Sequence, residues 1–403
     1  MVGAGHSFTD IACTDGVLVS LDRYNKVLDV DRANNTITVQ AGIRLRELNE
    51  ALAAEGLSMS NLGDIAYQSM AGAISTGTHG TGPGFGNLST FVKHLTLVCA
   101  DGSTLRCSLD ADQRTFRAAQ VSIGALGVIS TVTLQCEPAF NLRANETSAD
   151  LGDVLGHLDE LVSSNEHFEF YWFPHTDRTW TKQNNRTTDP PTPRRRWKEF
   201  QNDIIVSNVA FGAVCRAGRV RPAWIPGLMH KVVAPEVRHS QGLLERVARQ
   251  RGRIARSDKV YTSPRLVRFS EMEYAIPRRN AREAIEGVRA LIEEHDFKIN
   301  FPIEVRFVAP DDIQLSPAHG RETCYIAVHL FRGMDYRPYF SAVEDLMMTF
   351  DGRPHWGKLH FRDAESLRKT YPKWDDFIAI RNSLDPTGLF RNDYLDRVLG
   401  VPG

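Results

Sequence analysis

The 403-residue sequence contains no run of about 18 apolar residues, so it encodes no membrane-spanning helix. Its opening residues do not read as a secretory leader, because no basic stretch leads into an apolar one. It has no CxxC pair. Its six cysteines (Cys13, Cys99, Cys107, Cys136, Cys215 and Cys324) are scattered, and read as reduced, mostly buried thiols of a cytosolic protein. Neither sign of charge is in excess. A formal net charge of -1 gives no general affinity for nucleic acid or an anionic membrane. No internal repeat is visible. No glycine loop runs into GK[ST], which excludes a Walker loop, and the dinucleotide fingerprint GxGxxG fails at "GAGHSF".

What is present suits a globular chain of two domains: 42% apolar residues, 24% charged, and a length beyond one ordinary core. "TITVQAG" (36–42) alternates as a strand, and the helix that follows places Leu45, Leu48 and Leu52 on one stripe, with Gly56 to end it. "HLTLVCADGSTLRCSL" reads as a hairpin whose Asp101-Gly102 suits a type I′ turn. "GVISTVTLQCEP" is a further strand. From about residue 140 the texture changes. "FEFYWFP" (168–174) is an aromatic strand, and "NNRTTDPPTPRRRWKEF" (184–200) a polar, basic excursion or a contact for an acidic partner. Then come an amphipathic helix with Ala281, Ile285, Val288 and Ile292 buried, and the strands "PIEVRF" and "CYIAVHLF". The turn-rich tail resembles the head in texture. The chain therefore leaves its first domain and later rejoins it.

Three glycine clusters lie in the first 130 residues: "VGAGHSFTD", "NLGDIAYQSMAGAISTGTHGTGPGFGN" (61–87) and "SIGALGVIST". Such runs bring bare backbone N–H groups up to a ligand, most often phosphate oxygens. Three of them in one domain point to a large phosphate-bearing cofactor held by separate loops.

These loops, together with "VQAGIRLRELNEAL", "EMEYAIP", "IEVRF", "GRPHWGKLH" and "LDPTGLFRNDYL", resemble the aldonolactone oxidoreductase branch of the vanillyl-alcohol-oxidase-type flavoproteins. The resemblance runs through nearly the whole chain in order. It implies an α+β fold: an FAD-binding domain (1–139) of the type shared with p-cresol methylhydroxylase, an inserted α+β cap (140–350), and a C-terminal segment (351–403) returning to the active site. It also implies that the usual strand–helix–strand unit before the first turn is missing here, and an inactive flavin-binding remnant is then the alternative to an enzyme.

By the same resemblance His6 is the point of covalent flavin attachment, where a histidine in a glycine turn is otherwise a polar loop residue. Gly3, Ala4, Gly5, Ser7 and Phe8 would line the flavin and pyrophosphate. Gly63, Asp64, Ser69, Gly72, Ala73, Ile74, Ser75, Gly77, Thr78 and His79 match the second FAD loop. Val128 and Ile129 would offer backbone groups on the adenosine side, and His355 would touch the flavin. Glycine at 63 leans towards oxygen reaching the reduced flavin.

On the substrate side, Glu304 and Arg306 are two apart on a strand, so both point the same way. Glu-x-Arg is ordinarily a surface ion pair; in the family it faces the sugar. Lys358 would stand near flavin N1 or the reacting hydroxyl, favour the anionic reduced flavin and help deprotonate the substrate. His329 is a further candidate, the alternative being core polarity. "PHWGKLH" offers too few recognisably spaced ligands for zinc, so no metal is expected. Phe331 and Asp64 stand where alditol oxidase has a threonine and a serine, which favours a cyclic L-gulono- or D-arabinono-1,4-lactone over an open-chain polyol. The implied reaction is hydride transfer from C2 to flavin N5, with electrons passed to O2 or another acceptor. The protein is expected in the cytoplasm; a peripheral membrane contact through "WIPGL", from Trp224, competes with packing of that segment under the cap.

Overall fold

The computed structural model describes residues 1–193, 211–233, 252–262 and 267–401. Near the start, Val2 makes a single parallel bridge to Ser20. The first hairpin joins β1 (Val27–Asp31) to β2 (Thr36–Gln40). Helix α1 (Leu45–Ala54) buries Leu45, Leu48 and Leu52, and stops before Gly56, whose φ of 71° needs no Cβ-free exception beyond glycine itself. Helix α2 (Met70–Ser75) is one and a half turns, capped by Ser69 accepting from the Gly72 N–H. Strands β3 (Val92–Val98), β4 (Thr104–Ser108) and β5 (Val128–Gln135) complete an antiparallel sheet in the order β1-β2-β5-β3-β4. The β3–β4 turn departs from the expected type I′. Gly102 has φ 81° but Asp101 is not left-handed, and Asp101 instead accepts from the Ser103 N–H in a longer loop.

The second sheet is built from β6 (Asn141–Asp150), β7 (His167–Trp172), β8 (Arg178–Thr187), β9 (Arg253–Arg256), β10 (Phe269–Pro277), β11 (Ile303–Val308), β12 (Thr323–Phe331) and β13 (Arg353–Pro354). Its order is β9-β6-β8-β7-β11-β12-β10-β13, with every pair antiparallel. Period-two alternation sorts its residues cleanly. One face carries Phe168, Phe170, Trp172, Met272, Ile276, Val305, Phe307, Ile326 and Val328, packed with helices Ala281–Glu294 and Arg337–Thr349. Each such side chain contributes about 1.5–3 kcal/mol by leaving water.

The other face is polar and still buried. Burying an ion costs several kcal/mol, so these groups must satisfy one another or serve a ligand. After β13 the chain returns to the first domain. Trp356, Tyr371, Trp374, Phe377, Tyr394 and Val398 share one core with Ile37, Val39, Leu97 and Val132. The basic excursion lies outside the described residues from 194 onward. Within "WIPGL", Ile225 is buried while Trp224 is exposed. No described helix is long and apolar enough to cross a membrane.

Candidate active site

Register, not sequence proximity, assembles the polar face. Lys182 lies opposite Glu169, Glu169 opposite Arg306, and Arg306 opposite Tyr325. In the next rows Tyr171 faces Glu304, Ala327 separates Glu304 from Glu273, and His329 faces Glu271. Cross-strand partners share a face, so Glu304 and Arg306 point the way their spacing predicts, but inward and not to solvent.

Arg306 is the centre of the first cluster. Its Nε lies 2.7 Å from Glu169 and its Nη2 2.5 Å from Asp64, and Nη2 also pairs with Glu304. Lys182 Nζ holds the other Glu169 oxygen at 3.0 Å and sits over the Tyr171 ring. Burial works against the Arg306 cation, yet Asp64, Glu169 and Glu304 raise its pKa well above the ordinary value. Glu169, which burial would push up, is carried below the usual range by Arg306 and then Lys182. Three carboxylates here could suit a metal ion. The guanidinium pairs with all three, so the site is an arginine cage.

The second cluster straddles β10. Lys358 Nζ is 2.5 Å from Glu271, whose other oxygen faces His329 Nε2 at 3.4 Å. His79 Nε2 faces Glu273 at 3.3 Å while its ring stacks on Tyr325. Burial would raise the Glu271 pKa, but Lys358 and then His329 bring it down to about 2. His355, also buried, is pushed down to about 3 and is neutral; its Nδ1 accepts from the Gly357 N–H. His79, Glu273 and His355 also bring ligand-type atoms together, but one His355 nitrogen is already committed.

Main-chain bonds bring the return segment to this place. His355 N–H donates to the Glu273 carbonyl and Leu359 N–H to the Glu271 carbonyl. The N-terminal turn then joins it: Phe8 N–H donates to Gly357 O at 2.8 Å, and Lys358 lies over the Phe8 ring. In that turn a Cβ on Gly3 would stand 2.2 Å from Ser69 Oγ, so the turn packs on the cap of α2. Gly5, with φ 68°, has nothing within 4 Å of where a Cβ would be, and His6 beyond it is exposed. Partial desolvation, then the charges of Arg44 and Lys358, lower the His6 pKa and favour its neutral, nucleophilic form. An open glycine, an exposed imidazole and the buried Asn61 Nδ2, which has no partner among the described residues, fit a cofactor laid across these loops.

Residues 132–398 match the D-arabinono-1,4-lactone oxidase family, which is two thirds of the chain and includes every strand of the polar face. The chain belongs to this family. Residues 1–108 match the FAD binding domain, so the family's cofactor is FAD and the turn and loop above are the segments available to hold it. Among relatives, L-gulono-1,4-lactone dehydrogenase of Mycobacterium tuberculosis is 46% identical over 99% of this chain and 90% of that protein. L-gulonolactone oxidase of Scyliorhinus torazame is 36% identical over 98% of this chain and 88% of that one. Cholesterol oxidase from Brevibacterium sterolicum shares the fold, with a TM-score of 0.82 over 99% of this chain and 89% of that chain at 19% identity. The lactone-oxidase fold is therefore an α+β flavoprotein fold, as the motifs implied.

Within this lactone-oxidase frame, Gly3, Ala4, Gly5, His6, Ser7 and Phe8 form the turn on Gly357. Gly63, Asp64, Ser69, Gly72, Ala73, Ile74, Ser75, Gly77, Thr78 and His79 form the loop and helix beside it. Asp64 and His79 reach further than expected, to Arg306 and Glu273. Val128 and Ile129 lie elsewhere, paired with Val98 and Leu97 at the start of β5, with the Ile129 side chain in the core. Gly63 has a packing reason of its own: a Cβ there would meet the His79 carbonyl oxygen at 3.0 Å. The residues missed from sequence are Glu169, Lys182, Glu271 and Glu273. For the three glutamates the available signal was one glutamate in the apolar strand "FEFYW" and two at alternate places in "SEMEYAI".

Proposed function

We propose that this chain oxidises the C2 hydroxyl of an aldono-1,4-lactone, L-gulono- or D-arabinono-1,4-lactone, with covalently held FAD attached through His6. The observation that carries the reading is the convergence of Arg306, Glu304, His329 and Lys358 on one buried sheet face beside the His6 turn. When bound, FAD supplies the two-electron acceptor for the carbinol hydrogen.

The chain's own residues supply the rest. Arg306 and Glu304 offer a charged donor and an acceptor for the hydroxyls of a neutral sugar lactone. Because Arg306 is held by three carboxylates, it is pre-oriented and costs little reorganisation when substrate arrives. His329 Nδ1 lies 3.0 Å from the Pro302 carbonyl, which can only accept, so that nitrogen carries the proton. Its Nε2 faces Glu271, and that nitrogen is assigned the hydroxyl proton. Lys358 is occupied as a cation by Glu271, so it acts by its charge and not as the base. Electrons leave to O2 or another acceptor. Glycine at 63 supports oxygen access, though packing alone also asks for glycine there.

Bulky Phe331 packs on Phe269 and Phe301 where an open-chain polyol would ask for a hydroxyl, which supports a ring-closed substrate. The test is turnover of the purified flavoprotein on L-gulono- and D-arabinono-1,4-lactone against an alditol panel. A preference for alditols would overturn the substrate assignment.

A further inference from the structure

We propose that Glu271 is the positioning residue of the reaction, holding Lys358 with one carboxylate oxygen and His329 with the other. This rests on the proposed roles of those two residues. Three features of the structure carry it.

Glu271 divides its two oxygens: Oε2 takes Lys358 Nζ at 2.5 Å and Oε1 faces His329 Nε2 at 3.4 Å. Its main chain also docks the segment that bears the lysine, since the Leu359 N–H donates to the Glu271 carbonyl. Lys358 in turn lies over Phe8, two residues from His6, and Phe8 is bonded to Gly357. One strand residue thus ties together the N-terminal turn, the return segment and β12, all remote from it in sequence.

The charges then follow a single logic. With Nδ1–H directed at the Pro302 carbonyl, the His329 ring turns Nε2 to the Glu271 carboxylate. With a proton on Nε2 that contact is an ion pair. The substrate hydroxyl proton would pass to His329 Nε2, with bound FAD supplying the acceptor for the carbinol hydrogen and its electron pair. One Glu271 oxygen faces the protonated ring, while the other keeps Lys358 in place. Other charged or titratable groups bordering the pair are Glu273 on the same strand and His79 and His355 from the neighbouring loops. Glu273 is answered first by His79 and feels Lys358 more weakly, whereas Glu271 pairs with Lys358 directly.

Two measurements on the flavin-loaded full chain test this. The first is amine acylation by acetic anhydride at neutral pH, read by peptide mass spectrometry. Lys358 should label at least about tenfold more slowly than exposed Lys93 in the native protein, and approach Lys93 in Glu271→Gln. This arm needs neither turnover nor the correct lactone. Equal labelling of Lys358 and Lys93 in the native protein, which requires no variant to fold, would overturn the proposal. The second is steady-state kinetics on the lactone. Glu271→Gln should lose on the order of 100-fold in kcat with KM changed less than about threefold, and Glu271→Asp should recover part of it. A fall in KM-limited binding with kcat intact would also overturn it. If the native enzyme ignores lactones while Lys358 is protected through Glu271, the substrate reading fails and the positioning role stands.

Discussion

Arg306→Met is the most informative perturbation of the first cluster. The methionine fills similar volume but takes the guanidinium away from Asp64, Glu169 and Glu304, leaving Lys182 on Glu169 and the Tyr171 hydroxyl on Asp64 and Glu169 among their contacts. Removing one partner from a buried ionic group costs about 3–5 kcal/mol, because the remaining charges are uncompensated. With an unfolding entropy of about 0.8 kcal/mol/K for a chain of this length, that is a fall in Tm of roughly 4–6 °C. The sign with pH is fixed. In the native protein Glu169 is held below its ordinary pKa, so the folded state binds fewer protons than the unfolded one and gains stability as pH rises through the acid range. In the variant the stranded carboxylates shift upward, the folded state binds more protons, and stability falls as pH rises towards neutrality. The gap between the two proteins should therefore widen from about pH 5 to pH 7.5. Calorimetry at both pH values decides it. A gap under about 1 kcal/mol at neutral pH, or one that does not change with pH, would refute the arginine-cage account.

His6→Ala should leave FAD that is released on acid precipitation, whereas the native protein should keep its flavin on the polypeptide; retention in the variant would move the attachment elsewhere. Glu271 and Glu273 are both held below their ordinary pKa, chiefly by Lys358 and by His79 against the burial that would raise them, so their stabilisation is present above about pH 4.5 and lost as pH falls below it. Denaturant titrations across that window should show the loss, and Glu273→Gln should flatten part of it. Gly42→Ala would place a Cβ 2.0 Å from the Leu21 carbonyl oxygen and 2.6 Å from that of Tyr24, neither of which can rotate away. The expected cost is about 1–3 kcal/mol, read as a lower denaturant midpoint.

Much of this was legible before any coordinates. The Leu45, Leu48, Leu52 stripe and the shared direction of Glu304 and Arg306 follow from helix and strand periods alone, and the glycine clusters announced a cofactor held by loops. The family resemblance supplied His6 and Lys358. Other features were hidden because they depend on strand register. Nothing local in "FEFYW" says that Glu169 will meet Arg306, or that Lys182 will close the far side. The two glutamates of "SEMEYAI" share a face by period, but their partners His329, Lys358 and His79 come from three distant segments. Asp64, read both as a cofactor-loop residue and at the place of an alditol-oxidase serine, pairs with Arg306, which its own segment does not announce. The turn at Asp101-Gly102 was misjudged because a carboxylate bond to Ser103 stabilises a longer loop than the dipeptide suggests.

Anaerobic mixing of the flavin-loaded protein with substrate tests the central claim most directly. L-Gulono- or D-arabinono-1,4-lactone should bleach the visible flavin absorbance within a single turnover, and an open-chain alditol at the same concentration should not. Bleaching by the alditol alone, or by neither, would contradict the account.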